Sequence, residues 1–276
     1  MIVTFHGVRG STPVQSDDVA RYGGNTACVS VRAEGQRPLL FDLGTGLRFF
    51  GNTLMPDEPF VGTCLLGHLH WDHVQGLPFF TPLLQKGAEL TIFAPLQADG
   101  RHPGDVLAGV IQPPMFPVSL DEIGGSVSVR RATPEFAIGE FFVRAAQVPH
   151  TGVTFGYRVE HGRSAVVYVS DHQQPDDPTD FDAGVLELCR GADLLIHDAQ
   201  YTPSEFEHKR TWGHCTAQYA VTFAAAAGVR RLALFHHDPS RTDDQLDRIT
   251  AAAARCGADL GVDVFAAAEG SSVTLG

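Results

Sequence analysis

The stretch Gly67-His68-Leu69-His70-Trp71-Asp72-His73 carries three imidazoles and one carboxylate within six consecutive residues. It follows the apolar run Cys64-Leu65-Leu66, which reads as a buried strand, so the cluster is the turn leaving that strand's C-terminal end. Sites in α/β sheets gather at such ends. On an extended backbone His68 and His70 point the same way. Asp72 and His73 come one turn later and can face a second centre close by. Neutral imidazole with carboxylate suits zinc, manganese or iron better than calcium. The bland alternative is a surface loop with chance histidines; four donors directly behind a buried strand argue against it.

The pattern recurs downstream, where apolar strands repeatedly run out into His or Asp and then a turn. Gln147-Val148-Pro149 ends on His150, and Val166–Ser170 on Asp171. Leu194-Leu195-Ile196 ends on His197 and Asp198, and Leu232–Phe235 on His236 and His237. A lone histidine at a strand end is more often structural. Aligned strands, however, would bring all these side chains to one rim with His68–His73. An ionised Asp171 behind a buried strand is costly without a cation or several donors.

On these residues the chain resembles the metallo-β-lactamase superfamily. His68-Leu69-His70-Trp71-Asp72-His73 is similar to its H-x-H-x-D-H signature in full, and His150, Asp171 and His236 stand in the expected order. The resemblance covers essentially the whole chain. It implies an α/β (α+β) fold, a four-layer αββα sandwich with a dinuclear site at one edge of two sheets. It also implies two divalent metal ions, zinc foremost, with manganese or iron as alternatives. The first would be held by His68, His70 and His150, the second by Asp72, His73 and His236, with Asp171 bridging both. His236, first after its strand, is the expected ligand and His237 its rival.

Within the superfamily the chain is most similar to the phosphodiesterase branch that includes the tRNA 3′-processing endonucleases of the RNase Z type. Ala192–Ala199 and Gly213-His214-Cys215-Thr216-Ala217 carry that likeness. In the family an acid after the strand's His pairs with a His in a G-H-S-T-A-like segment. The implied pair is Asp198 with His214, Asp replacing the more usual Glu and Cys215 replacing Ser. Asp72, Asp198 and His214 form the implied catalytic set. A hydroxide shared by the metals would attack phosphorus, and His214, oriented by Asp198, would protonate the leaving oxygen or hold a phosphoryl oxygen. The family's tRNA enzymes insert a long arm in the region of Tyr157–Val169, but here Glu160-His161-Gly162-Arg163 turns straight back. The expected substrate is therefore a small or cyclic nucleotide-type phosphodiester. RNA 3′ processing and hydrolysis of carboxylic esters, thioesters or lactams are the alternatives. A metal-holding sensor without turnover is disfavoured by the intact ligand set.

The rest of the chain must position this set. Its 276 residues include 20 basic and 32 acidic side chains, for a net charge of −12. Lys86 and Lys209 are the only lysines, and no dense basic run occurs. That disfavours a grip on long nucleic acid, which needs many phosphate contacts. A small phosphorylated substrate stays compatible, because a bound metal reverses the local field. The five cysteines are widely spaced with no C-x-x-C, as expected of reduced thiols in a cytoplasmic protein. No signal peptide and no membrane-spanning run is apparent. A homodimer is left open.

The periodicity predicts strands at Ile2–Phe5, Ala27–Arg32, Leu39–Asp42, Val61–Leu66, Leu90–Phe93 and Ser126–Arg131. Further strands are expected at Glu140–Val148, Phe155–Glu160, Ala165–Ser170, Asp193–Ile196, Leu232–Phe235 and Val262–Phe265. Helices are expected at Gly76–Leu84, Asp105–Ile111, Phe181–Arg190 and Asp243–Arg255, and after His214, with Thr216 as N-cap and Gly228 as stop. One domain over residues 1–276, with a mixed double-sheet core between helices, is the simplest architecture. Trp71, Phe79, Phe80, Met115 and Phe116 are candidates for a base-stacking wall, and Arg9 for a phosphate contact. Asn25 is expected to fix a turn near the site. Asp42-Leu43-Gly44-Thr45-Gly46 reads as a turn supporting the metal loop. His172, His237 and Asp238 are candidates for orienting the ligands.

Overall fold

Alternation along the strands decides the layering in the computed structural model, which describes residues 1–276. The strands form two seven-stranded sheets. The first contains β1 (Ile2–Gly7), β2 (Cys28–Arg32), β3 (Leu39–Phe41), β4 (Val61–Leu65), β5 (Glu89–Ala94) and β6 (Ser126–Arg131). The second contains β7 (Glu135–Ile138), β8 (Phe141–Val148), β9 (Thr154–His161), β10 (Ser164–Val169), β11 (Leu194–Asp198), β12 (Arg231–Phe235) and β13 (Asp263–Ala266). The chain fills both sheets in sequence order, except that β14 (Ser272–Thr274) returns to pair outside β1.

Period-2 side chains split each strand between two cores. Leu39 and Phe41 face the space between the sheets with Val166, Tyr168, Leu194, Ile196, Ala233 and Phe235. Their neighbours Val167, Leu195, Leu232 and Leu234 face outward, beneath α4 (Ala183–Cys189), α6 (Ala217–Ala226) and α7 (Asp243–Leu260). Leu40, Cys64, Leu90 and Ile92 lie beneath α1 (Leu47–Gly51), α2 (Trp71–Val74) and α3 (Pro103–Val110). The result is the αββα sandwich. Phe41 and Tyr168 stack across the inter-sheet core, 4.7 Å between centroids. Truncating a buried aromatic of this kind costs about 3–5 kcal/mol.

Strand direction positions the site. β3 through β6 run parallel, as do β10 through β13. Two antiparallel steps, β8 to β9 and β9 to β10, return β8 to the direction of β10. The C-terminal ends of β4, β8, β10, β11 and β12 therefore open on one rim, and the five polar strand ends of the sequence are their continuations.

Several elements differ from expectation. Gly76–Leu84 is two 3₁₀ turns, Leu77–Phe79 and Thr81–Leu84, because Pro82 lacks the N–H that a continuous helix would bond to the Pro78 carbonyl, and its ring crowds that carbonyl. The single strand expected over Glu140–Val148 is the second arm of a β7–β8 hairpin turning at Gly139, whose φ is +56°. β14, which pairs outside β1, was not expected. α5 (Pro203–Lys209) was not foreseen; its Thr202/Glu205 capping box is visible in the sequence. The β9–β10 turn is tight, with Ser164 paired to His161 across Gly162-Arg163. Thr216 caps α6 as expected, its hydroxyl accepting from Tyr219 N at 3.1 Å. No helix is long and apolar enough to cross a membrane.

Candidate metal centre

After β4 the chain stays extended through His70, then α2 begins and turns Asp72 and His73 inward. His68, Asp72, His73, Asp171 and His236 are all buried. The His68 and His70 rings are 4.3 Å apart, and His70 Nδ1 lies 3.3 Å from His150 Nε2. With Asp171 these three offer donor atoms within 4.8 Å of one another. A second set forms beside it, where Asp72 Oδ2 lies 3.2 Å from His73 Nε2 and 3.1 Å from His236 Nε2. Asp171 stands between the two sets. Its Oδ1 is 3.2 Å from His73 Nε2 and 3.6 Å from His236 Nε2; its Oδ2 is 3.7 Å from His68 Nε2 and 3.6 Å from His150 Nε2.

Outer partners hold the rings. His73 Nδ1 donates to Asp42 Oδ2 at 2.6 Å, and Tyr168 Oη donates to the same oxygen at 2.7 Å. Gly67 N donates to Asp42 Oδ1 at 2.8 Å. His150 Nδ1 donates to the Gly213 carbonyl at 2.7 Å, and His236 Nδ1 to Gln200 Oε1 at 2.8 Å. Each bond leaves Nε2 directed at the centre. His236 has a left-handed backbone, φ +56°, and its ring packs where a Cβ on Gly10 would be, 2.3 Å from Nδ1. That conformation separates it from its neighbour: His237 turns away and donates from Nε2 to the Ala267 carbonyl at 2.9 Å.

The donors fit a cation. Both ring nitrogens of His68, His73 Nε2 and Asp171 Oδ1 are buried without any hydrogen-bond partner. Unpaired buried polar atoms are expensive and rare, and here they converge on one place. Burial opposes charge on Asp171, yet the imidazoles of His236, His73 and His68 hold its carboxyl well below the usual range. Burial likewise opposes protons on His73 and His236, but the carboxylates of Asp72 and Asp171 raise both, His236 to about 9. Burial, reinforced by His73, pushes His68 well down. The field is one that draws positive charge to the space among these side chains.

Asp198 and His214 form a pair beside this centre. His214 Nδ1 donates to Asp198 Oδ2 at 2.8 Å and lies 3.9 Å from Asp171 Oδ2. Asp198 is fully buried, with backbone N–H of His172 and Gln200 on its two oxygens at 3.0 and 2.9 Å. The shorter Asp thus reaches its histidine. Cys215 Sγ donates to the Asp198 carbonyl at 2.9 Å, and burial pushes its thiol well up, so it serves as a neutral donor.

Other expected residues fall elsewhere. Arg9 donates to the carbonyls of Gly23, Asp238 and Arg241, has Asp243 3.8 Å from its Nη2, and is fully buried, which keeps it from a substrate phosphate. Phe80 belongs to the core beneath α1, against Phe50 and Phe60. Trp71, Phe79 and Met115 are exposed, and Phe79 meets Phe116 edge-on. Asn25 is clamped to Glu269 through its backbone N and side-chain amide. His172 bonds His197 rather than a ligand, and Asp238 caps Ser240. Gln200 and Tyr168 were missed, and Gly213 was read only as part of the His214 segment; their roles exist only across the inter-strand gap.

An αββα sandwich with a buried His/Asp centre on its rim defines a metallo-β-lactamase-fold protein with a candidate metal site. The chain belongs to this superfamily: residues 37–237 match the family described as "Beta-lactamase superfamily domain". It is similar to a Ribonuclease Z of Natronomonas pharaonis, at 27% identity over an alignment covering 89% of this chain and 91% of that protein. Among solved structures, the short form of human tRNase Z superposes with a TM-score of 0.72 over 99% of both chains at 22% identity. Zn(2+)-bound PqqB from Methylobacterium extorquens superposes with a TM-score of 0.72 over the full length of both chains, at 18% identity.

Proposed function

We propose that this metallo-hydrolase is a phosphodiesterase acting on small nucleotide-type phosphodiesters. The observation that carries the reading is the Asp198–His214 pair, bonded at 2.8 Å with its imidazole beside Asp171. The pair argues for a diester whose alkoxide needs a proton on leaving, and a substrate panel separates this from ester or lactam hydrolysis. In this reading His68, His70 and His150 would hold one divalent cation and Asp72, His73 and His236 a second, with Asp171 placed between the two donor sets. Zinc is the preferred occupant; imidazole-rich sites suit it, and a Zn-bound relative shares the fold. When bound, the metals supply an activated water and neutralise charge at phosphorus.

The chain's own residues do the rest. Asp198 accepts from His214 Nδ1–H and so favours the doubly protonated ring, whose Nε2–H gives its proton to the leaving oxygen. The Asp42 carboxylate keeps the His73 ring turned, and Gln200 does the same for His236. The buried floor made by Asp171 and His68 excludes bulk water from the donor atoms.

A second reading is endonucleolytic RNA 3′ processing, favoured by the Ribonuclease Z relative. The tight Gly162-Arg163 turn and the net charge of −12 favour small substrates instead. The five free cysteines fit a reducing, cytoplasmic setting. The test is metal analysis of the purified protein beside turnover of bis(p-nitrophenyl) phosphate, cyclic nucleotides, linear dinucleotides, pre-tRNA and a thioester. Turnover of the small diesters supports the proposal. Metal-loaded protein that cleaves only the thioester, or only pre-tRNA, overturns it.

A further inference from the structure

On the His214 side, the centre is flanked by a wall with no part in the scheme above. α5 ends on Lys209, and Arg210-Thr211-Trp212-Gly213 leads directly into His214. The Tyr201 ring stands edge-on to His214, 5.6 Å between centroids. Lys209 Nζ lies 4.7 Å from the Tyr201 ring centroid and 5.4 Å from that of Trp212. Trp212 is 60% exposed. Lys209 is one of two lysines in a chain of net charge −12, and it packs on the same Tyr201 ring that meets His214. Its carboxylate neighbour, Asp238 Oδ2 at 3.5 Å, engages one N–H, and an ammonium has three.

An exposed indole next to a fixed ammonium is what a nucleotide needs: a face for the base and a donor for a phosphate. We propose that Lys209 and Trp212 form a nucleotide subsite for the leaving side of the substrate. Trp212 stacks the base, and Lys209 binds the phosphate that follows the scissile one. The ammonium and the His214 ring both pack against the Tyr201 ring, and with His214 serving the reacting phosphate the ammonium is assigned to the next one along the chain. The inference rests on the phosphodiesterase reading and narrows it to linear di- or oligonucleotides bearing a further phosphate.

Two measurements test it. In Trp71→Phe protein Trp212 is the remaining indole, and its emission reports binding without turnover. Titration with thymidine 3′-monophosphate should give saturable quenching, with thymidine binding about tenfold more weakly. Lys209→Met should erase that difference. Absent quenching, or equal affinity for the two probes in the Trp71→Phe protein that keeps Lys209, overturns the subsite. Kinetically, KM should be lower for TpTp than for TpT, and the advantage should vanish in Lys209→Met. It should fall in Trp212→Ala and return in Trp212→Phe, a rescue that a merely structural role would not produce. An unaltered TpTp preference in both variants overturns the proposal. Failure to cleave any diester would sink the phosphodiesterase reading alone, because the quenching titration still decides the subsite.

Discussion

Asp42 and His73 are 31 residues apart in sequence, yet Asp42 Oδ2 accepts from His73 Nδ1 at 2.6 Å. The same carboxylate takes Tyr168 Oη from the opposite sheet and Gly67 N from the loop that carries His68. One buried acid thus ties both sheets to the ligand loop. Asp42→Asn should weaken cation binding about 10–100-fold, the range for partners of metal-bound histidines. Competition against a chromophoric chelator checks this. Wild-type affinity would show that His73 does not depend on Asp42.

His214→Ala should lower kcat on bis(p-nitrophenyl) phosphate by roughly 10²–10⁴-fold, the range for a positioned acid or base. Although His214 also lies with Asp171 and His236 in reach of one cation, its Nδ1 is engaged by Asp198 and both donor sets are complete without it, so metal content should match wild type. Asp171→Ala, by contrast, should lose metal. Equal turnover in His214→Ala and wild type would remove the acid role.

Gly10 leaves the space that His236 occupies. A Cβ there would stand 2.3 Å from the ring. Gly10→Ala should therefore displace His236 and cost about 1–3 kcal/mol, as overpacking does. Thermal melts with and without added zinc should show the stabilisation by metal reduced. A melt identical to wild type in both conditions would count against this packing.

Protonation and metal binding should compete. In metal-free protein the His236 pKa is raised from 6.5 to about 9, chiefly by Asp171 and Asp72 against the opposing effect of burial. A raised folded-state pKa stabilises fully below pH 6.5, and the contribution is lost as pH rises through about 9. His73 moves in the same direction. Metal-free protein should thus lose stability across that window, while loaded protein should lose less, the cation standing in for the protons. At pH 7.5 zinc addition should release protons, readable with an indicator dye. No release at pH 7.5 would mean these imidazoles are already neutral.

The cluster His68–His73 and the polar ends of β8, β10, β11 and β12 were legible because each depends on adjacent residues and a two-residue period. Preferring His236 to His237 rested on order alone; in the structure His236, with a left-handed backbone, faces Asp72 and Asp171, while His237 turns to the Ala267 carbonyl. Arg9 was misread because a polar-looking loop concealed its acceptors, the carbonyls of Gly23, Asp238 and Arg241. β14 escaped notice because three residues carry little periodicity, and pairing with β1 across the whole chain is what makes them a strand.

By itself, then, the order of residues determined which strands are buried, where they end, and which side chains stand at those ends, since these follow from local periodicity and backbone preference. The tertiary structure alone decided that the ends meet. Parallel alignment places Asp171 with one oxygen toward each donor set, and packing across the sheets gives His73 its Asp42 and His236 its Gln200. Those contacts join residues distant in the chain, and only the burial of three apolar layers brings them within hydrogen-bonding distance.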